Sequence, residues 1–273
     1  GTIIEVEDLT EKLKTKNAYL EASLRRKELE AITNTLTAQR LQLLALNQSK
    51  DEFISLASHQ LRTPATGVKQ YVAMALDGYG GEISDHLRLL LERAYESNER
   101  QLTIVNDLLK VAQIDAGNVK LQKEPLDIVE LVSVILRDNA LKFSERDQHV
   151  VYTHTQPTIH VSADKDRLRM VIENIIDNAS KYTPLGKSIT IRIRQLKTKA
   201  TISVKDTGVG IEQKDIDKIF DKFVRVDNPL STRVGGTGLG LYWAERIVTL
   251  HDGTISVKSE IEEGSTFTIT LPK

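Results

Sequence analysis

The sequence predicts an α plus α/β protein: a helical N-terminal region of coiled-coil character, then a helical hairpin, then a C-terminal α/β sandwich on a mixed sheet. Three observations lead there. Residues 10–60 contain no proline or glycine. The stretch DGYGGEIS at 77–84 crowds glycines between two runs of helical periodicity. Beyond Pro125, short β-branched segments alternate with helical runs.

In the first region, Ile32, Leu36, Leu43, Leu46, Phe53 and Ala57 recur at combinations of three and four, the spacing of a coiled-coil seam. Leu9, Leu13, Leu20 and Leu24 form an earlier seam, out of phase with the later one by about two residues near 24–29, a discontinuity that alters supercoil winding. A helix of this length, polar on its other faces, gains little stability alone, so a parallel dimer is expected. After the glycine-rich break, Ser84 is a candidate N-cap. Leu87, Leu91, Ala94, Asn98, Leu102, Val105, Leu109 and Ala112 carry the stripe of a second helix ending near Gly117. Two such hairpins make a four-helix bundle. Strands are expected at 159–163, 188–196, 200–206, 253–259 and 265–271, with helices at 127–142, 164–181, 212–223 and 238–250.

Composition narrows the function. The 273 residues carry a formal net charge of -1, which leaves no basic footprint for nucleic acid or an anionic membrane surface. With no cysteine, disulfides, thiolate catalysis and cysteine-bound zinc are excluded. There is no apolar run of 18 residues and no signal-peptide pattern, so no membrane segment is expected and the location is expected to be cytoplasmic.

Within FISLASHQLRTPAT, a helical wheel sets Phe53, Ala57, Leu61, Pro64 and Val68 on one sector and His59 opposite it. On the helix expected at 164–181, Asn174, Asn178 and Lys181 share a face. Asparagine is a poor helix former, so this placement suggests a polar task, and an amide oxygen is a hard ligand suited to magnesium. DTGVGI at 206–211 ends a strand and GGTGLGL at 235–241 opens a helix. Glycines let backbone N–H groups approach phosphate, and a helix N-terminus offers free donors. No Lys-Ser/Thr pair follows, so this is not a Walker A loop.

SHQLRTP at 58–64, NIIDNASKYT at 174–183, DTGVGI, FDKFVRVD at 220–227 and GGTGLGL stand in the order of the sensor histidine kinases of two-component systems. The chain resembles that family from about residue 45 to its end, and the opening GTIIEVEDLTEK resembles the last strand of a PAS sensor domain and its exit into a helix. The resemblance implies a PAS strand at 1–9, a coiled-coil signalling helix at 10–48, a HisKA dimerisation and phosphotransfer domain at 49–118, and an ATP-binding domain of Bergerat (GHKL) type at 119–273. It implies autophosphorylation of His59 from ATP with Mg2+, and phosphotransfer to an aspartate of a response regulator receiver domain. The implied partners are a second copy of the chain and that receiver, with a sensor domain upstream.

Residue by residue, Asn178 resembles the magnesium ligand, supported by Asn174. Lys181 and Arg225 resemble phosphate contacts and Tyr182 an adenine contact, while Asp206, helped by Thr266, accepts the adenine amino hydrogen. Gly208, Gly210, Gly236, Thr237, Gly238, Leu239 and Gly240 shape the pocket and its lid, which Phe220 and Phe223 anchor. Gln60 stands where the family usually carries Glu or Asp; its amide accepts a hydrogen bond but takes no proton. Thr63 matches the residue that orients water for receiver dephosphorylation. Gln60 beside Thr63 leaves a phosphatase-dominant module, or a non-catalytic ATP-binding signalling dimer, as the alternatives.

Overall fold

The computed structural model describes residues 2–226, 230 and 236–273, so Gly1, Asp227 and Gly235 of the motifs above lie outside the described residues. The chain divides into two units, Gly1–Leu56 and Ala57–Lys273.

The first unit is helix throughout its described length, part of α1 (Thr2–Leu76). The strand expected at 1–9 is therefore corrected: the backbone is helical from Thr2. A strand needs a neighbour for its N–H and C=O groups, whereas a helix satisfies them internally. The hydroxyls of Thr33 and Thr37 donate to the carbonyls of Leu29 and Thr33, four residues back. The later seam is exposed in the single chain, with Leu46 at 67% and Phe53 at 70%.

In the second unit, the end of α1 turns through Gly78 and Gly81, both at positive φ, into α2 (Asp85–Asp115). Ser84 caps α2 as expected, its hydroxyl accepting from the Leu87 N–H at 3.3 Å. Arg62 donates to Asn106 Oδ1 at 2.8 Å, and Lys69 pairs with Glu99 at 2.8 Å. Both cross-links fit one antiparallel register, and continuing it sets Leu109 of α2 level with His59 of α1.

The α/β part begins with β1 (Glu124–Asp127), paired antiparallel with β3 (His160–Ala163). β2 (His149–His154), β4 (Ser188–Gln195), β5 (Lys199–Asp206), β6 (Thr254–Glu260) and β7 (Gly264–Pro272) form a second sheet in the order β2-β4-β5-β7-β6. The β2–β4 pair is parallel and the rest antiparallel, so this sheet is mixed. Packed with it are α3 (Ile128–Asp138), α4 (Ala140–Glu145), α5 (Lys165–Tyr182) and α6 (Gly240–Leu250). Strand alternation turns Ile189, Ile191 and Ile193 inward while Arg192 and Arg194 face out. On α5, Leu168, Val171, Ile172, Ile175, Ile176 and Ala179 make the face that meets the core, each large side chain contributing roughly 1.5–3 kcal/mol.

Two expected helices differ, and two strands are added. The helix at 127–142 is broken at Asn139, whose side-chain amide donates to the Ile135 carbonyl at 2.8 Å and competes with the backbone for it. The helix at 212–223 is reduced to a 3₁₀ turn, Gln213–Asp215, followed by turns. There Phe223 takes φ 64°, which no helix accommodates, and donates its N–H to the Gly238 carbonyl at 3.0 Å. β1 and β2 were not expected.

Candidate functional site: a nucleotide cavity against the helical hairpin

Because α5 buries one face, its rim carries Asn174, Asp177, Asn178 and Lys181 toward a cavity of about 660 Å³, within the usual range for small-molecule sites. Tyr182 at the helix end, Asp206 at the end of β5, and Val209, Gly210 and Ile211 continue the wall. Arg225, Gly236, Thr237, Gly238, Gly240, Ser265 and Phe267 complete that side.

Asp206 is only 4% exposed. Its Oδ1 accepts the backbone N–H groups of Gly208 at 2.9 Å and Ser265 at 3.2 Å, which leaves Oδ2 as the oxygen not committed to the backbone. Burial pushes its pKa up, and the two amide hydrogen bonds offset this only in part. Gly208 does not line the cavity; it must be glycine because a Cβ there would overlap the Tyr182 carbonyl and crowd Asp206 Oδ1. Gly240 packs so closely on Asn174 that a Cβ would come within 2.5 Å of its Oδ1.

Asn174 Nδ2 is buried without a partner, a polar group on the cavity wall with hydrogen-bonding capacity unspent. Asp177 is bridged by Lys142 and by Lys181, the latter at 2.6 Å. Burial alone would raise the Asp177 pKa, but hydrogen bonds from the two lysines outweigh it and hold the carboxyl below its ordinary value. Among the described residues no cluster of His, Cys, Asp or Glu could hold a metal. A cation here would rest on the Asn178 amide oxygen and on oxygens of a bound phosphate, a donor set that fits magnesium.

Two expectations on this wall are corrected. Thr266 does not line the cavity; its strand neighbours Ser265 and Phe267 do, because successive β7 side chains face opposite ways. Leu239 is a core residue at 1% exposure, present at the site only through its backbone N–H, which donates to Thr237 Oγ1 at 3.2 Å. Of the two phenylalanines expected to anchor the lid, Phe220 packs on the core and Phe223 is 64% exposed.

His59, Gln60 and Thr63 lie exposed on α1, and the Thr63 hydroxyl donates to the His59 carbonyl at 3.1 Å. Pro64 one residue on has no N–H to give the Gln60 carbonyl. A further wall was missed by sequence reasoning: Thr103, Asp107 and Lys110 of α2 also line the cavity. Their spacing of four and three was legible as a polar face, but nothing local separates such a face from one in water. Asp107 Oδ2 accepts the Thr237 hydroxyl at 2.9 Å, and Asp115 Oδ1 accepts that of Tyr242 at 2.6 Å.

These features define a class: a nucleotide-sized α/β cavity set against an antiparallel hairpin with an exposed histidine level with the cavity wall. Comparison with known proteins agrees. Residues 49–117 match the His Kinase A (phospho-acceptor) domain, and residues 163–273 match the Histidine kinase-, DNA gyrase B-, and HSP90-like ATPase family. The chain is 36% identical over 231 residues to sensor histidine kinase WalK of Bacillus subtilis (strain 168), covering 83% of this chain and 37% of that protein. It is 33% identical over 244 residues to sensor protein kinase WalK of Staphylococcus aureus, covering 89% of this chain and 57% of that one. Among solved structures, full-length ShkA in complex with AMPPNP aligns at TM-score 0.68 and 26% identity, over 81% of this chain and 45% of that one. The chain belongs to the sensor histidine kinases and spans between about a third and three fifths of the length of these curated relatives.

Proposed function

We propose that this chain is the kinase portion of a cytoplasmic signalling protein that phosphorylates its own His59 from ATP and passes the phosphoryl group to an aspartate of a response regulator. The observation that carries the reading is the hairpin register: Leu109 is level with His59 and lies between Asp107 and Lys110 of the cavity wall. A nucleotide in the cavity is then held at the height of an exposed imidazole.

In that reading the adenine amino group donates to Asp206, Asn178 holds a magnesium ion, and Lys181 and Arg225 contact phosphate. Magnesium supplies charge neutralisation on the phosphates when bound. A neutral imidazole nitrogen of His59 attacks the γ-phosphorus with its lone pair, and the bond to the β-phosphate oxygen breaks, releasing ADP. The ring then carries positive charge until its remaining N–H loses a proton. Gln60 orients the ring through its amide oxygen but cannot take that proton, which passes to water. Transfer to an aspartate carboxylate restores the free imidazole and forms an acyl phosphate. The cavity residues serve an ATP-binding dimer of either kind; the non-catalytic alternative is disfavoured by the match of residues 49–117, which include His59, to the phospho-acceptor domain and by relatives named as kinases.

The organisation proposed is a signalling helix at 10–48, a dimerisation and phosphotransfer domain at 49–118 and an ATP-binding domain at 119–273. Dimerisation would cover the exposed apolar side chains of Leu61, Val68, Leu87, Leu90 and Ile104. Incubation with γ-labelled ATP and magnesium should give acid-labile, base-stable label that His59→Ala removes and His86→Ala retains. Label that survives His59→Ala would end the phosphoacceptor assignment. His251 makes a poor control, because it is 1% exposed and bonded through both ring nitrogens.

A further inference from the structure

Thr103, Asp107 and Lys110 bring one face of α2 to the nucleotide cavity, and what they touch there is specific. Asp107 is 14% exposed at its side chain; one oxygen accepts the Thr237 hydroxyl at 2.9 Å and the other pairs with Lys110 Nζ at 3.2 Å. Lys110 also stands 5.3 Å from the centre of the Trp243 ring. Thr237 lies between Gly236 and Gly238, just before the start of α6, whose first turn has no side-chain cap. Free backbone donors and the positive end of the helix dipole make that turn attractive to an anion. The Asp107 carboxylate is thus an anion seated beside the glycine turn, holding a hydroxyl and an ammonium that a phosphate would also use.

We propose that Lys110, from the hairpin, is a further contact for the nucleotide's polyphosphate, and that Asp107 is its intramolecular competitor. The inference rests on ATP occupying this cavity. A polyphosphate entering the turn takes over Lys110 and Thr237, and Asp107 gives them up. Nucleotide affinity therefore depends on the α2 contact, and by linkage bound nucleotide alters how firmly the ATP-binding domain stays docked there.

Calorimetric titration of the full chain with AMPPNP and magnesium, and with adenosine, tests this. Lys110→Gln should weaken AMPPNP about tenfold, the scale of one partly exposed charged hydrogen bond, and leave adenosine unchanged, while Lys110→Arg restores most of the loss. Asp107→Asn should tighten AMPPNP about threefold or more, since a neutral amide competes poorly with phosphate, again without effect on adenosine. Equal weakening of AMPPNP and adenosine by Lys110→Gln would mean that Lys110 only supports the fold, and would overturn the contact. Unchanged or weaker AMPPNP binding in Asp107→Asn would overturn the competitor role. Wild-type protein that binds neither compound would instead remove the ATP reading of the cavity itself.

Discussion

Replacing Asp206 with asparagine separates binding from stability. Both backbone amides, from Gly208 and Ser265, converge on Oδ1, so an asparagine must keep its oxygen there and turn its NH₂ to the position of Oδ2. That presents a donor to the adenine amino group, itself a donor. One charge-assisted hydrogen bond is lost, worth about 1.5–3 kcal/mol, and two donors oppose each other, so the net cost is about 2–4 kcal/mol, or roughly 30- to 1000-fold in affinity. Stability moves the other way. The folded pKa of Asp206 is raised by burial, so folding favours the protonated carboxyl: the stability present below its unfolded value is lost as pH rises through its folded value, and at neutral pH the buried charge opposes folding. Removing the charge while keeping both backbone hydrogen bonds should leave the melting temperature at neutral pH equal to or above that of the wild type. Calorimetry with AMPPNP and thermal melting of the same preparations decide it. Affinity within threefold of wild type would refute the adenine contact, and a lower melting temperature would refute the account of the buried charge.

Other perturbations follow from the same geometry. Gln60→Glu should raise the initial autophosphorylation rate about tenfold or more at saturating ATP, at or below the low end of the ~10²–10⁴-fold typical of general-base assistance; equal rates would show that proton removal beside His59 is not limiting. His251 is neutral and buried, donating through Nδ1 to the Ile247 carbonyl at 2.8 Å and accepting the Asp164 N–H at 2.9 Å. Burial, with Lys123 adding to it, holds its pKa below the ordinary 6.5 against Ile247, Asp164 and Asp252, so its contribution is full above about pH 6.5 and is lost as pH falls through the folded value. Urea melts of wild type and His251→Gln between pH 8 and pH 5 should converge at low pH; parallel profiles would refute this. Ile32→Glu with Leu36→Glu should weaken the dimer at micromolar concentration in light scattering, because both side chains are exposed in the single chain and need a partner to be covered. An unchanged mass would place the association elsewhere.

Much of this protein is written locally in its sequence. The step from Asn174 to Asn178 to Lys181 set those residues on one helix face, and the structure keeps that face on the cavity. Ser84 before an acidic first turn, and alternating isoleucines at 189, 191 and 193, are equally local, because capping and burial periodicity involve neighbours in sequence. Strand β2 escaped notice because an edge strand half in solvent alternates weakly, with Val151 left exposed. Ser265 and Phe267, and not Thr266, meet the cavity because one position along a strand exchanges the faces, and only the packed sheet decides which face is covered. The wall of Thr103, Asp107 and Lys110 lies still further from what a sequence expresses. A polar helix face reads the same whether water or a glycine turn 130 residues away lies against it, and the pairing of Asp107 with Thr237 is created by tertiary contact alone.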